Sequence, residues 1–136
     1  MRTGLGVAAL LAACVLGLAP ASAQSFVSVC PAGASEAAPL AGQVWRGVAI
    51  MNGETPGEPH QQWDAEFRAD GVLVYTYADG RRFDNGTWRQ NDRVVMFETN
   101  GYFAVNMGTI CGDTLEGERR NRRGERGTIR FTRVRR

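Results

Sequence analysis

Trp63-Asp64-Ala65-Glu66-Phe67-Arg68-Ala69-Asp70-Gly71-Val72-Leu73-Val74-Tyr75-Thr76-Tyr77-Ala78-Asp79-Gly80 is the stretch whose reading decides the fold. Trp63, Ala65 and Phe67 alternate with Asp64, Glu66 and Arg68, the period of two that places one face of a strand inside and the other in water. Asp70-Gly71 then offers the positive φ of a tight hairpin. Val72 to Tyr77 is a β-branched and aromatic run, and Asp79-Gly80 closes it. The same rhythm continues outward. Asn52-Gly53, Asn91-Asp92, Asn100-Gly101, Gly112-Asp113 and Gly124 punctuate the chain, and from Asp70 on the spacing is that of a meander. Eight strands are expected, at about 43–51, 62–69, 72–78, 82–90, 93–99, 102–108, 113–120 and 126–134. No segment of this body carries a helical apolar stripe.

Eight short antiparallel strands joined by tight turns predict an all-β, eight-stranded up-and-down barrel, since closure removes exposed sheet edges. Such an interior is filled by side chains or holds one small ligand. The expected core is Trp45, Trp63, Phe67, Val72, Val74, Trp88, Val95, Phe97, Phe103, Val105, Leu115, Ile129 and Phe131. Of these, Trp45, Trp63, Phe67 and Trp88 are the candidate lining of a ligand cavity, with ordinary core packing as the competing role. Asn85-Gly86 falls within a strand and reads as a bulge, because Asp79-Gly80 already supplies the turn. The long polar segment from Gly53 to His60 is expected to guard a barrel mouth.

The barrel (41–136) follows two other segments. Residues 1–23 have a basic start at Arg2, an apolar run from Gly4 to Leu18 and the A-x-A site Ala21-Ser22-Ala23, which together describe a secretory signal peptide. A rival reading takes Leu11-Ala12-Ala13-Cys14 as a lipobox, with Cys14 lipidated. Both readings export the chain, and the expected location is the periplasm. Residues 24–40 lack periodicity and read as an extended arm, with Phe26, Val27 and Val29 as docking points. Cys30 and Cys111 remain after processing at Ala23 and are expected to pair in an oxidising compartment.

The inventory of reactive groups is thin. All four serines, Ser22, Ser25, Ser28 and Ser35, precede the body, so no body-borne Ser-His-Asp triad exists. His60 is the single histidine and sits in a Pro/Gly loop. One histidine with two paired cysteines supplies no zinc site of characteristic spacing. Asp64 and Glu66 share a face, but one that alternates with the apolar residues and so meets solvent. No catalytic residue, metal or cofactor is expected, and the reading is non-enzymatic.

All 16 basic residues are arginine, and the formal net charge is +2. That total is unevenly spread. Residues 118–136 hold nine arginines against Glu118 and Glu125, a net of +7, whereas residues 24–117 hold six arginines against twelve acids, a net of −6. In one reading the last strand's arginines meet outward acids such as Asp64, Glu66, Glu98 or Glu116. In the other, Arg119, Arg120, Arg122, Arg123 and Arg126 form an anion-binding patch at the final hairpin, suited to a lipid headgroup, lipopolysaccharide phosphate or acidic protein. The compartment argues against nucleic acid.

Gly42-Gln43-Val44-Trp45 on the first strand, with Arg133 or Arg135 at the end of the last, resembles the small bacterial exported barrels of the lipocalin-like (calycin) type. There a glycine and tryptophan open the barrel and an arginine packs over the tryptophan. Leu40-Ala41-Gly42-Gln43 and the signal-arm-barrel order are also similar to the bacterial metalloprotease inhibitors, whose arm plugs a protease cleft. The resemblance implies either a barrel binding a small apolar ligand or an interaction protein acting through residues 24–35.

Overall fold

The computed structural model describes residues 30–135; the leader, Cys14, Phe26, Val27 and Val29 lie outside the described residues. Eight strands follow one another as β1 (Gln43–Met51), β2 (Gln62–Phe67), β3 (Val72–Tyr77), β4 (Arg82–Asn91), β5 (Val94–Thr99), β6 (Ala104–Cys111), β7 (Thr114–Asn121) and β8 (Arg126–Arg133). Each is antiparallel to the next, and β8 returns to pair with β1, so the sheet is a closed barrel in sequence order. A single 3-10 turn, Pro59–Gln61, interrupts the β1–β2 connection.

The turn residues act as their chemistry dictates. Gly71, Gly80 and Gly124 take the left-handed conformation at φ values of 84°, 90° and 80°. At the β5–β6 turn, Asn100, Gly101 and Tyr102 are all left-handed (57°, 60°, 66°). That turn consumes two residues expected to be strand and delays β6 to Ala104. Within β6 the inward set is Ala104, Asn106, Gly108 and Ile110, so Val105 faces outward against expectation, while Phe103 lies in the turn and lines the barrel mouth. A one-residue change of parity moves every side chain to the other face.

The bulge expected at Asn85-Gly86 is present. Leu73 pairs with Gly86 and Tyr75 with Phe83, so two steps on β3 match three on β4. The extra residue lets Phe83 and Trp88, five apart, both turn inward. Gly86 lies so close to its neighbours that a Cβ would sit 2.8 Å from the Glu98 carbonyl oxygen and 2.9 Å from Leu73 Cβ.

The interior is lopsided. β2, β3 and β4 contribute Trp63, Phe67, Tyr75, Tyr77, Phe83 and Trp88, while β1, β6, β7 and β8 contribute the inward glycines Gly47, Gly108, Gly117 and Gly127. A Cβ at these glycines would run into the neighbouring strand, so they let adjacent strands approach closely where the sheet coils. Trp63 meets Phe131 edge-on at 4.9 Å and Tyr75 at 5.6 Å; Phe67 meets Trp88 at 5.4 Å and Phe97 at 5.7 Å. Of the expected core residues Val74 is buried but Val72 only half-buried, and Leu73 and Tyr75, not expected there, are fully buried.

The two ends of the barrel differ. At the end formed by Gln43, Phe67, Asn91 and Cys111, the arm crosses the opening. Leu40 is fully buried in the core, its N–H donates to Gln90 Oε1 (2.9 Å), and Cys30 lies at disulfide distance from Cys111 (2.06 Å). Arg93 Nη1 donates to the Ser35 carbonyl at 2.9 Å. Trp45 and Arg133 are cross-strand partners here, and Arg133 pairs with Asp113 at 2.5 Å. This end is sealed.

Candidate functional site

The opposite end is open and leads to a cavity of about 540 Å³, within the range of small-ligand sites. Five aromatic rings, Trp63, Tyr75, Tyr77, Phe83 and Phe103, line it together with the polar and charged Glu54, His60, Arg81, Arg119, Arg123 and Glu125. Trp63 divides the interior, with packed core on one side and cavity on the other. Tyr75 and Phe83 stack at 5.3 Å (19° between planes), held in register by the bulge. The Tyr75 hydroxyl donates to Asn85 Oδ1 at 2.7 Å and accepts the Asn100 N–H at 3.0 Å. Burial raises its pKa above the ordinary tyrosine value.

The long 53–60 loop lies at this mouth, as its composition suggested, and contributes Glu54 and His60 to the lining. Its organiser is Gln61, which is buried. Gln61 Oε1 accepts the Gly57 and Glu58 N–H groups (2.9 and 3.1 Å), and its Nε2 donates to the Thr55 carbonyl at 2.9 Å. Glu54 Oε2 in turn accepts the Met51 N–H at 2.9 Å, which with further contacts holds its carboxyl below the usual range. His60 stands 3.5 Å from Glu54. The loop is thus tied by side-chain hydrogen bonds and frames the opening.

Arg119 is the one charged side chain from a strand that reaches into the cavity from the interior face. Leu115, on the same strand four residues earlier, faces the core, and a period of two carries Gly117, Arg119 and Asn121 to the same side. Its Nη1 donates to Asn106 Oδ1 (3.1 Å), its Nη2 lies 3.5 Å from Thr99 Oγ1, and its guanidinium is 6.0 Å from the Trp63 ring centre. Asn106 is fully buried and Thr99 nearly so. Burial pushes the Arg119 pKa down from the ordinary arginine value.

The residues singled out by the sequence fall in different places. Trp63 lines the cavity. Trp45 and Phe67 are fully buried in the sealed half, and Trp88 is half-buried there, its indole N–H donating to the Arg68 carbonyl at 2.9 Å. The five arginines of the last hairpin divide between its two faces. Arg119 is interior, whereas Arg120, Arg122, Arg123 and Arg126 are exposed. Arg120 stands opposite Arg126, and Arg123 lies 5.8 Å over the Phe103 ring at the cavity rim. On the outer wall Asp64 pairs with Arg46 (2.7 Å), Glu66 with Arg82 (3.7 Å) and Glu116 with Arg130 (2.8 Å).

Comparison with known proteins adds no relative: no family model, curated protein or solved structure matches the chain. The reading of the site therefore rests on its own chemistry.

Proposed function

We propose that the chain is a non-enzymatic, exported binding barrel that holds one small apolar ligand in its open half. The observation that carries this is the asymmetry of the ends: Leu40 seals one, while the other opens on a cavity walled by five aromatic rings. Aromatic side chains bury large areas at low entropic cost and accept flat apolar guests edge-on or stacked. The eight-strand closed meander is compatible with the lipocalin-like resemblance, and Arg133 opposite Trp45 matches the expected position of its arginine. The periplasm suits the leader and the Cys30–Cys111 pair. The described part of the arm is engaged with the barrel, which favours the cavity over the arm as the binding element.

Titration of tryptophan fluorescence with the neutral probe N-phenyl-1-naphthylamine tests this. Saturable one-to-one quenching, weakened about tenfold by Trp63→Ala, is the expected result. Linear, unsaturable quenching overturns the reading. Mass spectrometry of the mature N-terminus is expected to find Gln24, and a diacylglyceryl-modified Cys14 would replace signal-peptide cleavage with lipidation.

A further inference from the structure

We infer that the cavity is built for an organic monoanion, an aromatic carboxylate whose charge sits on Arg119 and whose ring lies among Trp63, Tyr75 and Phe83. The inference rests on the cavity being a binding site and deepens it by naming the ligand's chemistry. A guanidinium drawn partly out of water is costly unless an anion or a full set of acceptors meets it. Arg119 is half-buried and has no salt-bridge partner among the described residues. Its two acceptors are neutral, Asn106 Oδ1 and Thr99 Oγ1, the second at the limit of hydrogen bonding. Five N–H donors are available on a guanidinium, so an edge of the fork is left for a ligand. The arginines that do form salt bridges among the described residues have their carboxylates on the outer surface, in a turn or at the sealed end.

The choice of a monocarboxylate follows from the charges around the opening. One interior arginine matches one carboxylate in bidentate geometry. Glu54 and Glu125 line the cavity together with Arg81 and Arg123, so these four charges balance and Arg119 is the one left unmatched, the count that suits a single carboxylate rather than a multiply charged guest. The rings beside Arg119 give the body of the ligand its apolar contact. The hydrogen bonds to Asn106 and Thr99 hold the guanidinium at a fixed height in the barrel, so charge and ring positions are preset.

The test uses the processed full-length protein and two probes of one shape, 2-naphthoate and the neutral 2-naphthamide, titrated at low salt. Wild type is expected to bind naphthoate about tenfold or more tightly than naphthamide, the scale of a charge-assisted pair. Arg119→Gln is expected to abolish that preference while leaving naphthamide affinity within about threefold, and Arg119→Lys to restore part of it. Arg130→Gln, on the outer wall, is expected to change neither. Equal affinity for the two probes in wild type, or equal loss of both in Arg119→Gln with an unchanged far-ultraviolet spectrum, overturns the carboxylate site and leaves the apolar cavity standing. Loss of the preference in Arg130→Gln also overturns it, because the effect is then one of net charge. Binding of neither probe overturns both readings.

Discussion

Arg119 shows how a functional side chain hides in a sequence. It stands beside Arg120, Arg122 and Arg123, and a run of arginines reads as a solvated or anion-seeking surface. Only its phase relative to Leu115 separates it from them, and that phase was available from the period of two. Tyr75 was hidden differently: in the unbroken run Val72–Tyr77 no alternation marks which residues face inward, and the pairing with β2, Ala65 opposite Tyr75, decides it. The raised pKa of Tyr75 has a consequence for stability. Its folded value lies above the unfolded one, so its contribution is fully present below about pH 10 and is lost as pH rises through the folded value. Alkaline unfolding followed by circular dichroism is expected to flatten in Tyr75→Phe, which at neutral pH loses about 1 kcal/mol with its hydrogen bonds. An unchanged alkaline limb would place the titrating group elsewhere. Gly117 offers a second check. A Cβ there meets the Met107 backbone across the sheet, so Gly117→Ala is expected to cost about 2–3 kcal/mol in urea denaturation, against near neutrality if the strands can part.

Elements were more legible than their contents. Seven of the eight strands lie within two residues of the positions read from turn dipeptides and alternation, because hairpin turns demand particular residues locally. β6 is the exception, since the conformation of Tyr102 is set by a three-residue left-handed turn that no dipeptide announces. The arm's role was also beyond local signals: nothing around Leu40 says that it seals a barrel. As a seal it is expected to be expensive to remove. Leu40→Ala should destabilise by about 2–5 kcal/mol. Reducing the Cys30–Cys111 pair, 81 positions apart, frees a loop whose closure is worth roughly 4–5 kcal/mol in a chain-entropy account. A melting temperature lowered by about 10 °C or more with reductant is the expected outcome. A shift within error would mean that the arm holds without its covalent tie.

At the scale of the whole molecule, the net charge of +2 conceals a partition that the fold only partly reunites. The β7–β8 hairpin places Arg130 against Glu116, while Arg120, Arg122, Arg123 and Arg126 stay exposed. The outer pairs are exposed and screened by salt, so they contribute little to stability. Raising salt from low ionic strength to 0.5 M is therefore expected to move the melting temperature by only about 3 °C or less; a larger loss would make these pairs structural. The candidate cavity itself was half legible. Trp63, Phe103 and the mouth loop could be named from the sequence and Arg119 from its phase to Leu115, while Tyr75, Tyr77 and Phe83 required the register of the neighbouring strands. The claim joining these parts is that one end is sealed and the other holds a ligand among the rings. The most direct test is to fill that space. Ala49 lines the cavity and is nearly buried, so Ala49→Phe projects a ring into it. With an unchanged circular dichroism spectrum, this variant is expected to bind N-phenyl-1-naphthylamine about tenfold or more weakly than wild type. Undiminished one-to-one binding by the filled variant would contradict the account.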